Sequence, residues 1–166
     1  NDDENGELAG AIYVYREDGT QWVFEQKILG PREEARLGAT LDVDGDVMAS
    51  GAICSGCGFT PGVAYSAFAF DRVDGRWELV DELQPQGGST ALMQFGTGVT
   101  IDGDRIAVGA KDAGDSTAGA VYEFRRTDRW RPRSVIESPV REACEDFGVG
   151  MDLSGDELLV GAPCIP

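Results

Sequence analysis

Histidine is absent from the 166 residues, and with it go the commonest general base, the commonest zinc ligand and every Ser-His or Cys-His nucleophilic pair. Catalysis in such a chain would rest on carboxylates alone. Positive charge is scarce as well. Fourteen Lys and Arg stand against 30 Asp and Glu, a formal charge of −16 that repels phosphate backbones and excludes nucleic acid as a partner. No run is long or apolar enough to span a bilayer, and no basic segment followed by an apolar one opens the chain. Asn1 therefore reads as a mature or trimmed end, in a chain without membrane insertion. Proline-rich and serine-rich linkers are missing too, so residues 1–166 read without a second domain.

What the chain does have is a hairpin written three times. Residues 95–110 read FGTGVTIDGDRIAVGA, residues 37–52 read LGATLDVDGDVMASGA, and residues 147–162 read FGVGMDLSGDELLVGA. In each copy eight positions separate the first residue from the turn glycine (37 to 45, 95 to 103, 147 to 155), and six separate that glycine from the closing one (51, 109, 161). Asp44-Gly45 and Asp102-Gly103 between apolar runs predict two-residue type I′ turns, in which φ is positive at both central positions. Ser154-Gly155 takes that place in the third copy.

A second strand pair recurs between the hairpins. Residues 10–15 with 22–29, 67–70 with 77–83, and 119–124 with 130–136 are rich in β-branched and aromatic side chains, with turns at Asp18-Gly19, Asp74-Gly75 and Asp128. Each pair's tryptophan (Trp22, Trp77, Trp130) precedes an aliphatic by six residues (Ile28, Leu83, Ile136), an even interval that puts both on one face of a strand. This predicts core packing of the tryptophans between neighbouring sheets rather than ligand stacking.

The unit is thus four short antiparallel strands: a glycine-led strand A, a strand B ending in Gly-Ala, an aromatic strand C and a tryptophan strand D. Turn glycines at 45, 103 and 155 set a period of 50–60 residues, which fits an array in which each unit buries its faces against its neighbours. The expected fold is all-β, a β-propeller segment of about three four-stranded blades with strand order CD-ABCD-ABCD-AB. The units are residues 1–29, 30–83, 84–136 and 137–166, the first and last being half-blades. Joined end to start, the chain reads VGAPCIPNDDENGELAGAIYVY, one continuous repeat. Each half-blade then leaves one strand edge exposed, strand C at one end and strand B at the other.

With Phe95-Gly96, Gly103-Asp104 and Val108-Gly109-Ala110, then Phe147-Gly148, Gly155-Asp156 and Val160-Gly161-Ala162-Pro163, the chain resembles the FG-GAP repeats of integrin-α-type β-propellers. Leu37-Gly38, Gly45-Asp46 and Gly51-Ala52 form a degenerate first copy. The resemblance implies extracellular binding and adhesion scaffolds more often than any one chemistry. In the calcium-binding blades of that family the A–B turn is a long DxDxDG loop. Here it shrinks to two residues, which leaves no room for six to eight oxygen ligands. Asp42, Asp44 and Asp46 alternate, but the glycine comes too early, and plain hairpin turns are expected. The acidic loops carrying Asp2, Asp3, Asn5 and Glu7, and Asp112 and Asp115, read as solvated, with a weak calcium site as the alternative.

Four cysteines and an acidic composition suit a secreted protein with disulfides. Up-and-down blades place Cys54 and Cys57 in a B–C loop, Cys164 in the equivalent loop and Cys144 in a D–A crossing, all on one face. The expected pairing is Cys144 with Cys164 and Cys54 with Cys57, the former contributing about 2–4 kcal/mol. Half a zinc site or redox chemistry at the Cys-x-x-Cys remains the alternative, though the helix that a redox motif needs is missing from the pattern.

No catalytic, cofactor or metal residue is assigned. The chain reads as a non-catalytic, extracellular binding or structural module, assembling through its terminal strand edges with further copies or neighbouring blades into a ring or filament. An acidic rim of Glu33, Glu34, Asp112, Asp115, Glu142, Glu145 and Asp146 offers itself to a basic protein, a glycan or a bridging cation, or serves solubility alone. The alternative is a carboxylate-based, glycosidase-like hydrolase on a propeller face, whose mark is two carboxylates about 5–10 Å apart in a deep cleft.

Overall fold

In the computed structural model, residues 4–52, 66–85, 94–113, 117–140 and 146–163 are described. They hold twelve strands and no helix. β1 (Ala11–Asp18) and β2 (Gln21–Leu29) form a two-stranded sheet. β3 (Thr40–Asp44), β4 (Val47–Ala52), β5 (Ser66–Val73) and β6 (Arg76–Leu83) form a four-stranded meander. β7 (Phe95–Asp102), β8 (Arg105–Ala110), β9 (Ala120–Arg126) and β10 (Trp130–Glu137) repeat it, and β11 (Met151–Ser154) with β12 (Glu157–Val160) make a second pair. Neighbouring strands run antiparallel throughout these sheets. The expected order CD-ABCD-ABCD-AB is the observed one: two whole propeller blades between two half-blades, in an array that is not closed.

The A–B turns depart from expectation by one residue. Asp44 pairs with Val47 and Asp102 with Arg105, so the two-residue loops are Gly45-Asp46 and Gly103-Asp104. Gly45 (φ 57°), Gly103 (φ 60°) and Gly155 (φ 54°) are left-handed and the aspartate after each is not, the pattern of a glycine-led type II′ turn instead of type I′. The physical reason lies before each of the first two glycines. Asp44 and Asp102 stay in the ladder and send their carboxylates to the next hairpin, as described below. Asp74-Gly75, with φ of 50° and 80°, is a true type I′ turn.

Each of the two four-stranded sheets buries one face against the sheet before it and the other against the sheet after. Phe68, Phe70, Trp77 and Met48 of the second sheet pack with Ile12 and Ile28 of the first. From the opposite face, Ala49, Ala69 and Leu83 meet Phe95, Ile106 and Phe124 of the third. Ala107 and Val121 of the third carry Phe147, Met151 and Leu158 of the last. Alternation along one strand thus feeds two different cores, which is why residues 67–70 of β5 read as an unbroken apolar run.

Two of the three tryptophans behave as expected. Trp77 and Trp130 are buried between sheets, each under an arginine (Arg72 and Arg126, both 5.8 Å from ring centre). Trp22 is not: it is 70 % exposed. The sequence positions are equivalent, but a D-strand tryptophan packs on the blade that precedes it, and among the described residues no sheet precedes β1–β2.

Candidate docking interface

The glycines of the two motifs turn out to be halves of one contact. At Gly51 a Cβ would overlap the carbonyl of Gly96 in the next sheet, and at Gly109 it would overlap the carbonyl of Gly148. Gly96 and Gly148 themselves lie at φ 97° and 93°, where side chains are strained. The Gly-Ala end of one strand B therefore receives the Phe-Gly start of the next strand A, at a separation that only paired glycines permit.

A ladder of side-chain acceptors runs beside this contact. Asp42 Oδ2 accepts the Ile101 N–H and Asp44 Oδ2 accepts the Gly103 N–H, both at 2.8 Å. One sheet on, Thr100 Oγ1 accepts from Leu153 (3.2 Å) and Asp102 Oδ2 from Gly155 (2.8 Å). Residues 77–124, from Trp77 in β6 to Phe124 in β9, match the family model of the FG-GAP repeat. This stretch is an FG-GAP repeat. No curated protein matches the chain.

The FG-GAP unit is therefore phased across a blade junction rather than within a blade: it spans the Phe95-Gly96 start and the Gly109-Ala110 end together with the strand that follows. FG-GAP repeats are typically non-catalytic and extracellular. On the outer rim, the junctions are clasped by further polar pairs. Gln26 exchanges two 2.9 Å hydrogen bonds with the Trp77 backbone, Asp81 accepts the Trp130 N–H, and Arg126 makes a two-pronged pair with Asp71 (2.7 and 2.5 Å).

At the first half-blade no strand among the described residues fills the same junction. A groove of about 580 Å³ runs between the free edge of β1 and the face of β3, lined by Ile12, Tyr15, Trp22, Leu41, Val43 and Met48. Leu41 and Val43 are exposed, whereas Val99 and Ile101, at the same positions of the third sheet, are buried under the second. Two of the groove's acids, Glu25 and Asp42, are already engaged. Glu25 is held by Arg16 (2.5 Å) and Arg72 (3.2 Å), and Asp42 binds two backbone N–H groups, its own Val43 and Ile101.

Several expected site residues find other employment. Among the described residues no three acidic or cysteine side chains gather as a metal cluster. Asp112 and Asp146 converge on Lys111 (3.6 and 3.1 Å). Burial disfavours the Lys111 charge, but the bond to Asp146 and the field of Asp112 outweigh it and raise the ammonium pKa. Glu33 and Glu34 are exposed. Cys54, Cys57, Cys144, Cys164, Asp2, Asp3, Asp115, Glu142 and Glu145 lie outside the described residues.

Glu82 was not singled out in the sequence, yet it ties three elements together. Its carboxylate accepts Arg32 through two bonds (2.9 and 2.7 Å) and the Ser66 hydroxyl at 2.6 Å, joining the β2–β3 loop to β5 and β6. Burial works against the Glu82 charge, but these bonds prevail and its pKa lies below the usual value. A depressed carboxyl stabilises the fold above its unfolded pKa and stops doing so as pH falls through the folded one. Glu82→Gln is expected to cost about 1 kcal/mol at neutral pH, since both partners are partly solvated. The gap between variant and wild type should close in urea melts as the pH falls below the ordinary glutamate range. A pH-independent gap would remove the ion pair as its cause.

Proposed function

We propose that this chain is a non-catalytic, extracellular binding or structural module that assembles through its two half-blades with further copies of itself, as a ring or a filament. The observation that carries this reading is a set of aromatic positions. Tyr13, Tyr15 and Trp22 are 51 %, 52 % and 70 % exposed, while their counterparts in the second sheet, Phe68, Phe70 and Trp77, are 0 %, 1 % and 7 % exposed. A face whose repeats elsewhere serve as blade interfaces is left in water here, and a contiguous aromatic face of this kind marks an interaction surface. The acidic balance and four cysteines support secretion.

Three blade equivalents per chain make six in a closed pair, within the usual range for propellers. Light scattering behind size exclusion tests the reading. The expected mass is a multiple of 17.7 kDa that falls on dilution; a 17.7 kDa species at every concentration would overturn it.

A further inference from the structure

Building on that reading, we propose a defined occupant for the groove between β1 and β3: the β11–β12 hairpin of a second copy, with β12 paired antiparallel to β1 in the register Ala162↔Ala11, Val160↔Tyr13, Leu158↔Tyr15 and Glu157↔Arg16. The chain supplies the pattern for this junction twice. β4 pairs with β5 through Met48↔Phe70, and β8 pairs with β9 through Ile106↔Phe124. Leu158 holds the Met48 and Ile106 position, the second residue after each A–B turn. Tyr15 holds the Phe70 and Phe124 position, directly after the same bulge in each C–D pair.

Every face of the hairpin and groove then finds the partner it has elsewhere in the chain. Gly161 occupies the place of Gly51 and Gly109, yet it is exposed, and the nearest described atom to a Cβ there is the Gly150 oxygen at 3.3 Å. Docking brings Gly38 of the other copy against it, as Gly96 meets Gly51. Leu159, 65 % exposed, covers Leu41 and Val43. Asp152 stands where Asp42 does and takes the N–H of Val43, which within the chain donates to the side chain of the preceding residue, Asp42 Oδ1, at 2.8 Å. Ser154 stands where Asp44 does and takes the N–H of Gly45.

The same docking lays Tyr13, Tyr15 and Trp22 over the outer face of the third sheet in the second copy. Ile136 lies there 37 % exposed, although its counterparts Ile28 and Leu83 are buried. Charge fits as well, and with reversed sign. The Asp71–Arg126 pair that clasps the second sheet to the third is replaced at the new junction by Arg125 of one copy and Glu17 of the other, while Glu157 faces Arg16 across the strands. Carboxylate and guanidinium have changed sides together, which preserves attraction at this junction and places like charges together in a misregistered one.

Sedimentation equilibrium on the full chain decides it. Gly161→Ala is expected to weaken association roughly 10- to 100-fold, because a methyl group intrudes between paired glycines, with the melting midpoint of the isolated chain unchanged. Glu17→Arg and Arg125→Glu should each weaken association about five- to ten-fold, and an equimolar mixture of the two should regain one wild-type-strength junction. Assembly that ignores all three substitutions overturns the register and the groove while leaving self-association standing. A chain that stays at 17.7 kDa in every form overturns both.

Discussion

Gly109→Ala is expected to be the most damaging single-methyl change in the chain, costing about 3 kcal/mol or more in urea unfolding. The added Cβ would sit inside the carbonyl of Gly148, a backbone atom held by the hydrogen bond between Gly148 N and Gly161 O at 3.0 Å. Neither side can yield without separating the third sheet from the last hairpin and stripping Phe147 and Met151 from Ala107 and Val121. The midpoint of the melt should fall, and a change in its slope would report the last half-blade detaching on its own. Gly161→Ala is the internal control, because the same position in the last hairpin has no following strand A among the described residues. Equal melts for Gly109→Ala and wild type would mean that blade spacing is set elsewhere.

Trp77→Ala is the second large effect, about 3–5 kcal/mol, because it empties a site lined by Ile12, Ile28 and Phe70 between the first two sheets. Arg72 would lose the ring it stacks on but keep Glu25 at 3.2 Å. Trp22→Ala tests the equivalent position in the opposite way. Its ring is mostly solvated, so the isolated chain should change by less than about 0.5 kcal/mol, and the loss should appear in the association constant instead. Thermal melts and sedimentation on both variants separate the two roles. A Trp22→Ala chain that unfolds as easily as Trp77→Ala would show that the first half-blade is internally supported by its tryptophan.

The strand order was legible because the repeat is spelled out at the level of turn glycines, aromatic pairs and a constant interval between them. Three copies agreeing in spacing leave few alternatives. The interface was less legible. Leu41 and Val43 look like ordinary strand residues, and nothing local separates them from Val99 and Ile101, which occupy the same positions and are buried. Comparing copies and asking which one lacks a neighbour was the available signal. Asp42, Asp44 and Asp102 were legible as turn acids, but their task of capping the next blade's N–H groups depends on strands 59 or 53 residues away.

The sequence by itself determined the all-β class, the four-strand unit and the half-blades at either end, because period-two alternation and turn chemistry are local constraints that survive without a neighbour. Only the tertiary structure decided which copy of each repeated residue is buried, why the motif glycines are paired across a junction, and which way each turn aspartate points. Those properties belong to contacts between sheets. One residue type in one repeat position is core in the middle of the array and surface at its margin, since burial depends on what stands opposite.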